Sequence, residues 1–231
     1  MNSIILTSGQ ALELLFSGDP ELWSIVFLSF TVSIKAIIIS FPLAILLAFS
    51  LNYGNFPGAN LIIAVFNTLL TVPTVVIGLF VYLMLTRQGP FGDLKLLFTQ
   101  HAMVIGQIIL SFPILVSLVY TTLKSTDIRI WETARTLRAP TWFIIFTVCH
   151  EIRFGLFTAG IIAFGRVISE VGISMMIGGN ILGFTRNITT AIALETSKGE
   201  FAQGIALGLV LLLLSFFLTT SLSLIQKKTN L

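Results

Sequence analysis

Arg166 and Glu170 stand four residues apart in the apolar stretch Gly160-Ile-Ile-Ala-Phe-Gly-Arg-Val-Ile-Ser-Glu-Val-Gly172. On a helix that spacing puts them on one face, close enough to pair. Each charge at a bilayer centre costs about 3 kcal/mol by insertion scales, so both must face protein or a water-filled cavity. The pair either neutralises itself and fixes helix packing, or lines and gates a pathway. Lys35 lies midway along another apolar run, where a lone cation either snorkels to the interface or lends positive potential to an anion path. Asn180, Thr185 and Arg186 follow Gly178 and Gly179. Their hydroxyl, guanidinium and neighbouring backbone N–H groups suit an oxyanion, and suit a hydrated loop equally well.

The densest charge lies on residues 127–153. Arg129, Arg135, Arg138 and Arg153, with Lys124 just before them, account for five of the thirteen Lys and Arg residues. Glu132, Thr133, Ala134, Arg135, Leu137, Arg138 and Ala139 form or follow a short helix that Pro140 ends, and the apolar Thr141–Cys149 makes a second leg. Two short helices at a membrane surface form a rigid knob that can dock in a groove of a soluble partner and pass its motion to the spans. The alternative is a positive loop that only orients the chain.

The elements that position these groups are membrane spans. With 55% apolar and 10% charged residues, the 231-residue chain is too hydrophobic to cover a soluble domain. Apolar runs at Leu22–Leu51, Ala59–Thr86, Met103–Leu123, Gly155–Ile177 and Phe201–Leu224 predict an all-α integral membrane protein of about five transmembrane helices. Residues 1–21, acidic and without Lys or Arg, read as an N-terminal interfacial segment, and 22–231 as the transmembrane domain that includes the 127–153 loop. Lys124, Arg129, Arg135, Arg138, Arg153, Lys227 and Lys228 fall on one side, against Arg87, Lys95, Arg186 and Lys198 on the other. That bias orients the chain N-out, C-in. Pro42, Pro73 and Pro113 each free a backbone carbonyl within a span, and Gly204 with Gly208 permits close helix approach.

Several function classes are excluded or disfavoured. Cys149 is the only cysteine, and His101 and His150 are far apart, so neither an intrachain disulfide nor a metal site is expected. There is no basic tail or patch for nucleic acid. No Gly-x-Ser-x-Gly nucleophile motif and no Gly-x-x-x-x-Gly-Lys-Ser/Thr phosphate loop occurs.

At these residues the chain resembles the binding-protein-dependent ABC importer permeases. The family's loop signature is Glu-Ala-Ala, three residues, Gly, and about ten residues later an apolar-Leu-Pro. Here Glu132-Thr133-Ala134 matches in two of three places, Arg138 stands where Gly is usual, and His150-Glu151 stands where Leu-Pro is usual. The segment Gly160–Gly172 is similar to the Gly, Ala-Phe, Arg, Glu, Gly pattern of molybdate, sulfate and tungstate permeases. The segment Gly178–Phe201 is similar to the tungstate type.

The resemblance implies a type I ABC importer permease fold in the plasma or inner membrane of a prokaryote. It implies a homodimer of this chain with two ATP-binding cassette subunits and an external solute-binding protein, importing an oxyanion, most simply tungstate, by alternating access. Molybdate and sulfate remain open as substrates. No cofactor is expected on this chain, with ATP and Mg on the partner subunit. Glu132 to Ala139 would form the ATPase-coupling loop, Lys35, Arg166 and Glu170 the translocation pathway or gate, and Asn180, Thr185 and Arg186 the external loop. A secondary anion carrier using Lys35 and the Arg166/Glu170 pair is the rival reading. It predicts transport that follows an ion gradient and a loop that tolerates mutation.

Overall fold

The computed structural model describes residues 2–54 and 57–229, with side chains for 9–54 and 57–224. The chain runs α1 (Asn2–Phe16), α2 (Pro20–Tyr53), α3 (Ala59–Leu69), α4 (Thr74–Leu85), α5 (Gln100–Ser125), α6 (Ile128–Thr136), α7 (Thr141–Glu151), α8 (Arg153–Ile168), α9 (Gly172–Gly178), α10 (Ile188–Lys198) and α11 (Phe201–Thr229), with one 3-10 turn at Gly92–Leu94. No strand occurs among the described residues.

Helix α2 starts where local chemistry dictates. The Asp19 carboxylate accepts from the Leu22 N–H at 2.9 Å, and Pro20 occupies the first turn. Its 34 residues rise about 51 Å, more than the roughly 30 Å of bilayer hydrocarbon, so it tilts or protrudes. Val32, Ala36, Ser40, Ala44 and Ala48 recur every four residues and are all buried. This stripe of small side chains brings α2 against α5, where the Ser40 and Ser111 hydroxyls meet at 3.0 Å.

Helices α2, α5 and α11 are each long and apolar enough to cross a membrane, and the count reaches five if each of two bent helix pairs is one span. The expected five is the upper end of that range, the second bent pair being α7 with α8 at 77° rather than the run 155–177, and two of the expected runs are broken. The second run bends by 100° between α3 and α4. Pro73 starts the new helix there, while the carbonyls of Asn67, Thr68 and Leu69 accept from the N–H groups of Leu70, Thr71 and Val72. The bend thus satisfies its own backbone, as hydrocarbon requires. The fourth run, expected as one helix over 155–177, stops at Ile168 and resumes at Gly172. By contrast Pro42 and Pro113 lie inside helices that continue through them.

Helix α9 occupies a slot that two glycines create. A Cβ on Gly106 of α5 would come within 2.4 Å of Ile177 and 2.5 Å of Ile173, and one on Gly78 of α4 would lie 3.2 Å from the Ile173 Cα. A larger residue at 106 would force Ile173 and Ile177 to move, and one at 78 would crowd the Ile173 backbone, so both glycines help α4 and α5 close on α9.

The N-terminal segment is also more integrated than expected. Ala11 of α1 is buried with Leu22, Ile188, Ala206 and Leu207, so α1 packs on α11 within the bundle. Gly204 is buried beside Thr196, whereas a Cβ on Gly208 would meet nothing within 4 Å, so only one of the two glycines makes a close approach here. The side chains of Lys227 and Lys228, counted above on the inner side, lie outside the described residues.

Candidate functional site

The charged loop folds as the expected hairpin of α6 and α7. The Asp127 carboxylate caps α6 by accepting from the Arg129 N–H at 2.9 Å. At the other end Arg138 takes φ +53°, and the Ala139 N–H reaches back to the Ala134 carbonyl at 3.2 Å. This is the left-handed helix stop that glycine usually supplies, so the departure Gly to Arg138 falls at the position where backbone geometry explains the glycine.

The hairpin has an inner and an outer face. Trp131 stacks on Tyr53 at the end of α2, ring centroids 4.0 Å apart and 6° from parallel, and Phe49 joins them at 6.3 Å. Ala134 and Ala139 pack inward against the same core, which Ile144 and Val148 of α7 enter fully buried. Glu132, Thr133, Arg135, Leu137 and Arg138 are exposed. Of the seven coupling residues read from sequence, five therefore form the outer surface and two hold it to the spans. Among the described residues Glu132 has no ion-pair partner. A cleft of about 460 Å³ opens between the legs, with Arg129, Thr133, Leu137 and Phe143 around it. Cys149, on the second leg, is partly covered, and burial pushes its thiol above the usual range.

The Arg166/Glu170 pair forms as spaced. Arg166 Nη1 donates to Glu170 Oε2 at 2.9 Å. Glu170, however, sits in the break between α8 and α9 rather than within a helix. Its Oε1 accepts the Gly172 N–H at 2.9 Å, and its backbone carbonyl accepts the Thr189 hydroxyl at 2.8 Å. Both carboxylate oxygens are engaged, and the side chain is 4% exposed against 47% for Arg166. Glu170 is therefore the fixed member and Arg166 the accessible one.

Lys35 is exposed on α2 and pairs with no described acid. Lys35 and Arg166 are thus not joined through a shared carboxylate.

The external segment differs from a hydrated loop. Nearly half of it is α10, opened by a reciprocal cap between Asn187 and Thr190 and tied to α2 by the Ile188 N–H donating to Ser29 Oγ at 2.8 Å. Thr185 is buried, its hydroxyl accepting from the Ile181 N–H and donating to the Gly178 carbonyl. Arg186 is held 3.7 Å from Glu21 and 3.8 Å from Glu195, and Lys198 lies 3.0 Å from Glu195. Two cations and two carboxylates balance there, which leaves little field for an incoming anion. Asn180, at φ +52°, buries an Oδ1 without a partner among the described residues. Arg166, facing one carboxylate and half exposed, is the better-placed cation of the two arginines.

Residues 40–231 match the family described as the binding-protein-dependent transport system inner membrane component. The chain belongs to that family. This inner membrane component is 40% identical over 218 residues, covering 94% of the chain and 96% of the relative, to the tungstate uptake system permease protein TupB of Peptoclostridium acidaminophilum. It is 31% identical to the molybdenum transport system permease protein ModB of Escherichia coli (strain K12), over 87% of the chain and 94% of that protein.

The fold is similar to a solved structure of the MetNI methionine ABC transporter in an inward-facing conformation, with a TM-score of 0.62 at 16% identity over 89% of the chain and 94% of that structure's chain. The protein is thus a multi-pass transport permease of the plasma membrane with the type I importer fold. Its kinship to importer permeases implies an ATP-binding and a substrate-binding partner.

The pair at 166 and 170, the hairpin and its charges were all legible as motifs. The Tyr53–Trp131 stack was not, although a tryptophan one residue before Glu132 on an amphipathic helix is a signal that the inner face carries an anchor. The close approaches at Gly78 and Gly106 were also unread, because a glycine in an apolar run shows no partner until the fold supplies one.

Proposed function

We propose that this permease is the membrane subunit of an ATP-driven importer for tungstate, working by alternating access. The observation that carries the reading is identity of 40% over nearly the whole chain to a tungstate uptake permease, against 31% to a molybdenum permease. In this reading two copies form a homodimer, each docked on an ATP-binding subunit that holds ATP and Mg and hydrolyses it. An external binding protein delivers the anion.

The outer face of the hairpin, with Glu132, Thr133, Arg135, Leu137 and Arg138, meets the ATP-binding subunit. Ala134 and Ala139 anchor it, and the Trp131–Tyr53 stack passes its displacement to α2. A stacked, partly buried contact supports this role better than a free loop would, since the stack ties the knob to the end of α2.

Arg166, oriented by Glu170, supplies positive potential at membrane depth, and Lys35 adds to it from α2. Thr185 and Arg186 keep the outer end in shape. Asn180 belongs to the same outer turn.

The test is uptake into proteoliposomes holding the permease, its ATP-binding subunit and its binding protein, with labelled tungstate and with molybdate as competitor. The reading expects uptake only with ATP, tungstate outcompeting molybdate, and loss of ATP coupling in Glu132→Ala. Uptake that follows an imposed ion gradient without ATP overturns it in favour of a secondary carrier.

A further inference from the structure

Between α2, α8 and α11 runs a groove of about 440 Å³, walled by Ile34, Phe41 and Leu218, floored by Gly160, and ending at Phe164. Among its described lining residues Arg153 is the one charged or polar side chain. It stands at the first residue of α8, directly after the cytosolic hairpin, so a cation lies at the cytosolic end of a groove whose own lining is apolar. From Arg153 to Phe164 the helix rises about 16 Å, close to the roughly 15 Å depth of one leaflet's hydrocarbon. The Arg153 guanidinium is fixed by donating through Nη1 to the His150 carbonyl at 2.8 Å and by lying 4.7 Å over the Phe154 ring. That spends one of its five N–H groups. The groove offers no carboxylate to satisfy the remainder.

We propose that this groove binds an anionic phospholipid of the inner leaflet, with the phosphate against Arg153 and one acyl chain laid along Gly160 toward Leu218. Charge complementarity sets the headgroup class, and the match of groove length to leaflet depth sets the occupant as lipid. Gly160 is what keeps the groove open: a Cβ there meets only Phe41 Cε2, at 3.9 Å, so a larger side chain enters the groove without striking backbone. This site is separate from the coupling surface and from the Arg166/Glu170 pair. It does not depend on which anion the importer carries.

The test is native mass spectrometry of the full complex extracted from membranes containing phosphatidylglycerol and phosphatidylethanolamine. Wild type is expected to retain phosphatidylglycerol through detergent washing. A basic residue near a membrane surface contributes about 1 kcal/mol toward anionic lipid, which converts to about fivefold, so Arg153→Gln should reduce phosphatidylglycerol retention by about that factor and leave phosphatidylethanolamine unchanged. Gly160→Leu should remove both. Arg153 is exposed, so its substitution decides the matter even if Gly160→Leu assembles poorly. Retention of phosphatidylglycerol unchanged by Arg153→Gln overturns the proposal. So does disulfide joining of two copies through Phe157→Cys in a Cys149→Ser background, which would make the groove an interface between copies.

Discussion

Replacing Arg138 by glycine should stiffen the hairpin, although it removes a residue from the proposed partner surface. Arg138 holds φ +53° at the end of α6. A left-handed conformation costs an L-residue about 1–2 kcal/mol, and glycine avoids this while adding about 0.4–1 kcal/mol of chain entropy to lose on folding. The net gain is about 0.5–1 kcal/mol for the turn, or roughly two- to fivefold in its local opening equilibrium. The amides to watch are those of Arg138 and Ala139, bonded to the carbonyls of Arg135 and Ala134 at 3.0 and 3.2 Å. Hydrogen–deuterium exchange of the detergent-purified permease should show them slowed by that factor in Arg138→Gly. Arg138→Ala, which keeps the strained backbone and loses only the charge, should leave them near wild type. Equal slowing in both variants would show that charge rather than backbone strain governs the turn, and the argument from φ would fail.

Substitutions at the intramembrane pair should be unequal. Arg166→Gln leaves the buried Glu170 carboxylate without its cation and should destabilise by about 2 kcal/mol, whereas Glu170→Gln leaves a half-exposed arginine that water can reach and should cost less; melting curves in detergent compare them. Gly106→Val drives a side chain into Ile173 and Ile177 and should cost about 1–3 kcal/mol by displacing α9, read as a lowered melting temperature. Trp131→Ala should cost more than Trp131→Phe. In a double-mutant cycle with Tyr53→Ala the two rings should couple by about 1 kcal/mol. Cys149 should alkylate slowly at neutral pH and faster as pH rises, since burial holds its thiol protonated past the usual range; a rate as fast as that of a free thiol at neutral pH would contradict the packing of the second leg.

The spans were legible because apolar length alone identifies them, and α2, α5 and α11 follow the apolar runs at Leu22–Leu51, Met103–Leu123 and Phe201–Leu224 closely. The breaks were not, since hydrophobicity is indifferent to whether a helix continues. Of three prolines only Pro73 begins a new helix, and what distinguishes it is the run of turn bonds before it together with the docking of α4 on α9 through Gly78, both tertiary facts. The same blindness affected the site. Spacing was enough to pair Arg166 with Glu170, but that Glu170 also caps α9 depends on a break no pattern marks. The outer segment read as loop because its glycines and threonines look hydrated, whereas Ser29, 159 residues from Ile188, supplies the contact that buries it.

The stripe of Ala36, Ser40, Ala44 and Ala48 on α2 has a consequence for where this molecule can move. Alanine and serine have almost no rotamers to freeze, so the α2–α5 seam forms with little loss of side-chain freedom. On its α2 side this stripe also has no long side chains to re-sort, so the larger residues of α5, such as Leu115 and Val119, meet a smooth surface. Changes of shape are cheaper at the elbows, residues 70–73 and 169–171, where helices already end and a few dihedral angles can turn a whole segment.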